Sequence, residues 1–253
     1  MGSKRIYFKS LFICSYICVV LIVLLSGCNS TKEISKISDL AYDENKESGY
    51  TVYLQEDSKY IPYLVLTNDY NGNTLLLRKE TLDESKQYSD YIAYYKDNIV
   101  DKYLNDEFYE LLGYKEKETI LYSNIEITKE DATSMESDRE GVEEINRRVF
   151  LLSVTEVGVK DLGILKKEGK AIKYFINVNN RVAYKDRKSQ SWWLRTPCLS
   201  YDSCPFGILY DGTLATSNSY DECGIRPAFC INKNTKVKLS NNIIKGKSVF
   251  ILG

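Results

Sequence analysis

The stretch that decides the fold runs from Ser191 to Ile231: SWWLRTPCLSYDSCPFGILYDGTLATSNSYDECGIRPAFCI. It holds both tryptophans of the chain and three of its four prolines. Its apolar and aromatic runs predict strands at residues 192–196, 206–210, 213–216 and 224–231. The Asp211-Gly212 pair between two of these runs predicts a hairpin turn in which both central residues have positive φ. We therefore expect antiparallel sheet here.

Outside this stretch, the spacing of apolar residues changes along the chain. Strands are predicted at 50–54, 62–67 and 74–78 as a meander turning at Asn71-Gly72, and again at 121–127, 149–154 and 248–252. Helical spacing at 89–112 predicts one or two amphipathic helices, broken near Asn105-Asp106; residues 131–146 are expected to form a surface loop or short helix, and 156–165 a helical turn. The predicted class is α+β, with irregular, loop-rich antiparallel sheets and one or two helices.

The composition is that of a globular protein. The chain has 253 residues, of which 43% are hydrophobic and 27% charged, which is enough for a sizeable core. A net charge of −1 without a concentrated basic face excludes nucleic acid as an expected partner. The chain has no histidine, the usual general base and commonest metal ligand, and we expect neither a metal nor a cofactor.

The first 27 residues have the parts of a bacterial secretory signal. Lys4, Arg5 and Lys9 form a positive region, followed by an apolar run of 15 residues at 11–25. A spanning helix needs about 20 residues, so this run favours a cleaved signal over a membrane span.

The signal ends in Leu25-Ser26-Gly27-Cys28, the motif of bacterial lipoproteins. Small residues admit the peptidase, and the Cys28 thiol would receive the lipid, with acyl chains such as palmitate holding the protein on the membrane. We expect a signal peptide at 1–27, a flexible tether at 28–48, and a single domain at 49–253. The domain would lie on the outer face of the bacterial cell membrane.

Removal of the signal and lipidation leave four cysteines, namely Cys198, Cys204, Cys223 and Cys230. In an oxidising compartment they predict two disulfides, and the sequence leaves all three connectivities open. A tetrathiolate zinc site is the second hypothesis, although the gaps contain no Cys-x-x-Cys pair. Free thiols are the third.

Five residues of the 191–231 stretch are candidates for ligand binding: Trp192, Arg195, Tyr210, Asp211 and Arg226. The two arginines lie in apolar strands, so we expect a buried ion pair or a clamp on backbone carbonyls, with an anionic ligand as the alternative. The nearby acids are Asp202, Asp211, Asp221 and Glu222. Trp192 and Trp193 would face opposite sides of a strand, one in the core and one free to stack on a sugar.

Catalytic motifs are not found in the sequence. It has no Gly-x-Ser-x-Gly elbow and no phosphate-binding glycine loop. We therefore predict no catalytic residue.

Three motifs carry a resemblance to a family. They are Trp193-Leu194-Arg195-Thr196-Pro197, Ile208-Leu209-Tyr210-Asp211-Gly212 and Gly224-Ile225-Arg226-Pro227-Ala228. With them the chain resembles an uncharacterised domain family of bacterial surface and secreted proteins, whose hallmarks are Trp-Leu-Arg-Ser-Pro and Gly-Val-Arg-Pro-Ala. More distantly it is similar to the C-type-lectin-like fold of sulfatase-modifying proteins, without that fold's calcium motifs. The resemblance implies a C-type-lectin-like domain.

The sequence thus predicts a lipid-anchored binding module with a carbohydrate, cell-wall or protein ligand. The alternative is an enzyme of the cell envelope, either a formylglycine-type oxidase or a cell-wall hydrolase. The oxidase would require a reactive cysteine.

Overall fold

The computed structural model describes residues 34–46, 51–130, 141–159, 167–201, 203–241, 243–244, 246 and 248–253. The predicted signal peptide, Cys28, Asp202 and residues 131–140 lie outside these ranges. The strands are β1 (Thr51–Glu56), β2 (Lys59–Tyr70), β3 (Asn73–Arg78), β4 (Lys86–Gln87), β5 (Ile120–Leu121), β6 (Ser123–Thr128), β7 (Val142–Arg147), β8 (Ala183–Lys185), β9 (Lys188–Gln190), β10 (Trp192–Pro197), β11 (Pro205–Ile208), β12 (Leu214–Thr216), β13 (Glu222–Cys223), β14 (Ala228–Ile231), β15 (Val237–Leu239) and β16 (Phe250–Leu252).

A seven-stranded sheet in the order β15-β16-β1-β2-β3-β14-β5 forms the main layer. Its pairs are antiparallel, except that β1 and β16 run parallel. A three-stranded sheet, β10-β11-β12, and three two-stranded sheets, β4-β13, β6-β7 and β8-β9, accompany it. These sheets and the helices below confirm the predicted α+β class.

Turn chemistry sets the register of the meander. Asn71 and Gly72 have φ of 51° and 80° and join β2 to β3, as the sequence predicted. Asp57-Ser58 joins β1 to β2 with positive φ at both residues. Such turns match the right-handed twist of the paired strands, and aspartate tolerates them better than most residues.

The predicted break in the helical segment is confirmed at Asp106. Helix α1 spans Ile99–Asn105, α2 spans Glu107–Leu111, and a third helix, α3, spans Tyr114–Thr119. Residues 89–98 are not helical, contrary to the prediction. Helix α1 begins only after Asp97, whose φ is 61°, because Asn98 caps the helix by accepting the Asp101 N–H at 2.8 Å.

Two further predictions were wrong in type. Residues 142–147 form β7 rather than a loop or helix, since Glu144 and Asn146 face solvent while Ile145 between them packs inward. Residues 149–154 are buried, yet they form only an isolated bridge at Phe150. Their N–H groups are satisfied by side chains instead: Val154 N–H, for example, donates to Thr196 Oγ1 at 3.0 Å.

The expected tether boundary is also corrected. Residues 34–46, which we assigned to a flexible tether, pack on the domain. Ile37 and Leu40 are fully buried in a 3₁₀ turn, Ile37–Leu40, and Ile37 N–H donates to Thr235 O at 2.8 Å. The segment has few apolar residues, so its sequence resembles a polar tether. Ile37 and Leu40 nevertheless both insert into the core.

Candidate functional site

Arg195 is the centre of a fully buried polar cluster beneath β10. Its guanidinium makes two hydrogen bonds with the Glu156 carboxylate, at 2.7 and 2.9 Å, and donates to the carbonyls of Leu151 and Glu126 at 2.8 and 2.9 Å. Neither Arg195 nor Glu156 is exposed. Burial lowers the pKa of Arg195, but Glu156, Tyr70 and Glu168 together more than offset it, so the net shift is upward. The expected buried ion pair is confirmed; its acidic partner is not one of the four we named.

Glu168 is the second carboxylate of this cluster. It accepts hydrogen bonds from the N–H and hydroxyl of Thr128 at 2.8 and 2.7 Å, and from Thr196 Oγ1 at 2.7 Å. Arg195 Nε lies 3.6 Å from its Oε2 atom. Burial raises the pKa of Glu168, and Arg195 opposes the rise only in part. The cluster is sealed from solvent, so it holds elements together and offers no ligand site.

Arg226 is the expected backbone clamp. Nε and Nη2 donate to the carbonyls of Arg78 and Lys79, both at 3.1 Å, and the guanidinium lies 4.7 Å from the centre of the Trp192 ring. Trp192 itself is fully buried, with its indole N–H donating to Arg181 O at 2.9 Å. Burial lowers the pKa of Arg226 to about 10. Three of the five ligand candidates, Trp192, Arg195 and Arg226, therefore lie in the core with no path from solvent.

The other two candidates, Tyr210 and Asp211, lie on the exposed β11–β12 turn. Asp211 Oδ1 accepts from the N–H and hydroxyl of Thr213, which lowers the pKa of the carboxyl. Gly212 has φ of 87°, but Asp211 does not have positive φ, so our expectation of two such residues was wrong. The loop has three residues, closed by Leu209 N–H to Thr213 O at 2.8 Å, and this length needs only the glycine in the left-handed region.

An open pocket of about 200 Å³ lies beside β10, β11 and β12. The residues that line it are Ser191, Trp193, Gly207, Ile208, Leu209, Ala215, Ser217, Asp221, Glu222 and Cys223. Trp193 is only 1% exposed, because its ring packs edge-on against Tyr88 and its N–H donates to Lys86 O. The indole thus forms a covered floor rather than the open stacking face that we considered.

The rim of the pocket is acidic, and two exposed tyrosines adjoin its lining residues in the sequence. Asp221 and Glu222 are exposed, and neither forms an ion pair with a lysine or arginine of the described residues. Tyr220 precedes Asp221 and is 55% exposed; Tyr210 follows the lining residue Leu209 and is 61% exposed. Carboxylates that accept hydrogen bonds beside exposed rings suit a ligand that carries both hydroxyl groups and an apolar face.

Gly207 makes the pocket floor possible. A Cβ atom there would lie 3.0 Å from Trp192 O and 3.6 Å from the Trp193 ring. Only glycine lets β11 approach β10 this closely, and the space above it remains open.

All four cysteines are free thiols, so neither of the two expected disulfides is present in this structure. Burial raises the pKa of Cys223 to about 11 and that of Cys230 to about 12. Both are therefore protonated at neutral pH, which argues against Cys223 as the nucleophile of an oxidase at this pocket.

Among the described residues, no three Cys, Asp or Glu side chains lie together as metal ligands. Within those ranges no helix has the length and apolar character needed to cross a bilayer.

Sequence reasoning missed Glu156 and Glu168, because each lies far along the chain from Arg195. It also missed the pocket. Asp221 and Glu222 were named only as partners for arginine, and Ser191 and Ser217 carry no pattern that marks a pocket wall.

The fold and the pocket define an α+β domain with an open, acidic-rimmed recess and a buried Arg–Glu cluster. Residues 71–233 match the family described as "Domain of unknown function (DUF6273)". The match covers well over half of the chain, so the chain belongs to this family. No curated protein and no solved structure matches it.

Proposed function

We propose that this protein is a lipid-anchored surface module that binds a carbohydrate of the cell wall through the pocket at Asp221 and Glu222. The observation that carries the proposal is the open recess, whose two carboxylates have no basic partner among the residues that the structure describes. Its volume of about 200 Å³ is below the 300–1,000 Å³ or so of drug-sized sites, and so suits one sugar ring rather than a long segment.

The geometry assigns a role to each part of the recess. Asp221 and Glu222 would accept hydrogen bonds from sugar hydroxyls, and Ser191 and Ser217 would add donors and acceptors. A tyrosine ring at the rim would stack on the apolar face of the ring, a role open to Tyr210 or Tyr220.

The anchor belongs to the same proposal. Lys4, Arg5 and Lys9, the apolar run at 11–25 and Leu25-Ser26-Gly27-Cys28 support a cleaved signal and lipid on Cys28. In cells fed labelled palmitate, the wild-type protein should carry the label, and Cys28→Ser should lose it. A labelled Cys28→Ser protein would exclude this site of lipidation.

A C-type-lectin-like fold is also part of the proposal. It rests on the resemblance of the three motifs and on their positions in β10, in the β11–β12 hairpin and just before β14. An experimental structure in which the chain order of strands departs from that fold would reject it.

The binding test uses the full chain in detergent micelles, titrated with soluble peptidoglycan fragments and neutral oligosaccharides by calorimetry. A ligand present at about 100 times its dissociation constant should stabilise the fold by about 2.7 kcal/mol. Glu222→Gln should weaken binding at least tenfold, and so should Tyr210→Ala or Tyr220→Ala, whichever ring stacks on the sugar. Glu144→Gln and Tyr114→Ala, which alter an exposed acid on β7 and an exposed ring on α3, are the matched controls.

If the controls weaken binding as much as the pocket variants, the recess is not the site. If no glycan gives heat or raises the melting temperature, the carbohydrate proposal fails, and protein ligands become the next class to test.

A further inference from the structure

The hairpin of β10 and β11 places Cys198 and Cys204 opposite each other. Pro197 pairs with Pro205 in the antiparallel ladder, and the Cys198 N–H donates to the Cys204 carbonyl at 2.8 Å. Residues opposite each other in such a ladder have Cα atoms about 4.5–5.5 Å apart. Disulfides span Cα separations of about 4.4–6.8 Å, and the spacing expected for opposite residues of an antiparallel pair falls within that range.

The other two cysteines occupy different ladders. Cys230 lies in the middle of β14, opposite Leu75 on one side and Leu121 on the other. Cys223 lies in β13, opposite Lys86. Among these four residues, then, one pair alone is in register, and the three connectivities left open by the sequence reduce to one bridge.

We propose that Cys198 and Cys204 are a thiol pair that closes into a single disulfide when the protein meets a disulfide oxidant, while Cys223 and Cys230 stay reduced. Cys204 is half-buried and Cys198 is 2% exposed, so Cys204 reacts first. Its thiol now points to Asn218 Oδ1 at 3.7 Å, and it must rotate about its Cα–Cβ bond to reach Cys198.

The chemistry balances with oxidised glutathione as the oxidant. The Cys204 thiolate attacks one glutathione sulfur, forming a mixed disulfide and releasing one reduced glutathione. The Cys198 thiolate then attacks the Cys204 sulfur, forms the intramolecular bond and displaces the second glutathione. Two protein thiols are oxidised, one glutathione disulfide is reduced, and both protons end on the released thiols.

The bridge would lie next to a backbone contact with the segment that leads to the pocket rim. Ser203 O accepts from Ser219 N–H at 2.8 Å, and Ser219 Oγ donates to Tyr91 O at 2.8 Å. Ser219 leads directly into Asp221 and Glu222. Oxidation therefore adds a covalent constraint at Cys204, beside the contact of Ser203 with Ser219.

The test is a disulfide map of the full chain in detergent after equilibration with excess oxidised glutathione. Trypsin alone leaves all four cysteines in one peptide, because Arg226 precedes a proline. Added cleavage before Asp202 and Asp211 separates Cys198 from Cys204, so the bridge appears as peptide 196–201 linked to peptide 202–210. Cys223 and Cys230 should remain alkylatable.

Variants give a second readout. Cys198→Ser should trap glutathione on Cys204, whereas Cys223→Ser and Cys230→Ser should leave the linked peptides unchanged. Links to Cys223 or Cys230, or four thiols that stay fully alkylatable in the wild-type protein, would overturn the proposal.

Discussion

Arg195 and Glu156 form a bidentate ion pair, at 2.7 and 2.9 Å, between two side chains with no exposed surface. Charges taken out of water are costly, and the pair persists because backbone carbonyls accept two further guanidinium N–H groups. Removal of one partner leaves the other charged, buried and unpaired.

Arg195→Met is therefore expected to lower the free energy of unfolding by about 3–5 kcal/mol, measured by urea denaturation. The exposed pair Lys117–Glu110, with atoms 2.6 Å apart, is the control. Lys117→Met should cost no more than about 1 kcal/mol, because water screens that pair. The double variant Arg195→Met/Glu156→Met should be more stable than the sum of its single changes predicts. Equal losses for the buried and exposed pairs would contradict this account.

Glu168 makes the free energy of unfolding depend on pH, and the direction of its pKa shift fixes the direction of that dependence. Burial raises its pKa in the folded protein above the ordinary value of 4.5, so the folded state holds this proton more tightly than the unfolded state. The stability that this proton contributes is fully present below about pH 4.5, and it is lost as the pH rises through the raised folded pKa.

Relative to Glu168→Gln, the wild-type protein should therefore lose stability as the pH rises above about 4.5 and through the raised folded pKa of Glu168. Urea midpoints at several pH values measure the difference between the two proteins. If the wild-type protein instead gains stability relative to Glu168→Gln as the pH rises, Arg195 lowers the pKa of Glu168 by more than burial raises it.

Alanine substitutions at Gly224 and Gly72 test two different effects, steric crowding and backbone strain. A Cβ atom at Gly224 would lie 2.6 Å from Ser191 O and 2.9 Å from Thr81 Cγ2, whereas at Gly72, with φ of 80°, it would meet nothing within 4 Å. Gly224→Ala should break the β-bridge between Trp192 and Gly224 and lower the free energy of unfolding by more than about 2 kcal/mol. Gly72→Ala should cost about 1–2 kcal/mol through positive φ alone. Thermal unfolding of both variants shows which substitution destabilises the protein more. A larger loss of stability for Gly72→Ala than for Gly224→Ala would contradict this prediction.

Asn98 tests the helix boundary. Asn98→Ala removes the acceptor for the Asp101 N–H and should destabilise the protein by about 0.5–2 kcal/mol, read from urea denaturation. Asn98→Asp keeps an acceptor and should stay near wild type. If both substitutions cost the same, the cap does not stabilise α1.

Local signals were enough for the parts of the fold that local chemistry controls. Asn71-Gly72 and Asp106 were placed from residue type and spacing alone, because turn and helix boundaries depend on near neighbours. Arg195 was predicted to be paired, because a charge in an apolar strand must be compensated.

Non-local relationships could not be predicted in the same way. Glu156 and Arg195 lie 39 residues apart, and no local pattern marks them as partners. The sequence of residues 149–154 is typical of a strand. However, side chains from distant segments, such as Tyr95 and Thr196, accept the N–H hydrogen bonds that a neighbouring strand would otherwise accept. The pocket is likewise built from four separate segments.

The parallel pairing of β1 with β16 bears on the order of folding. Val52 lies beside Phe250, so this contact closes a loop of nearly two hundred residues, whereas the β1–β2–β3 meander closes through two-residue turns. Loop closure costs entropy before any pairing is gained, so we expect the meander to form early and its outer edge to remain unpaired until β16 docks. During that interval the exposed edge of β1 is the place where a second chain could add a strand, and the arrival of β16 ends that exposure.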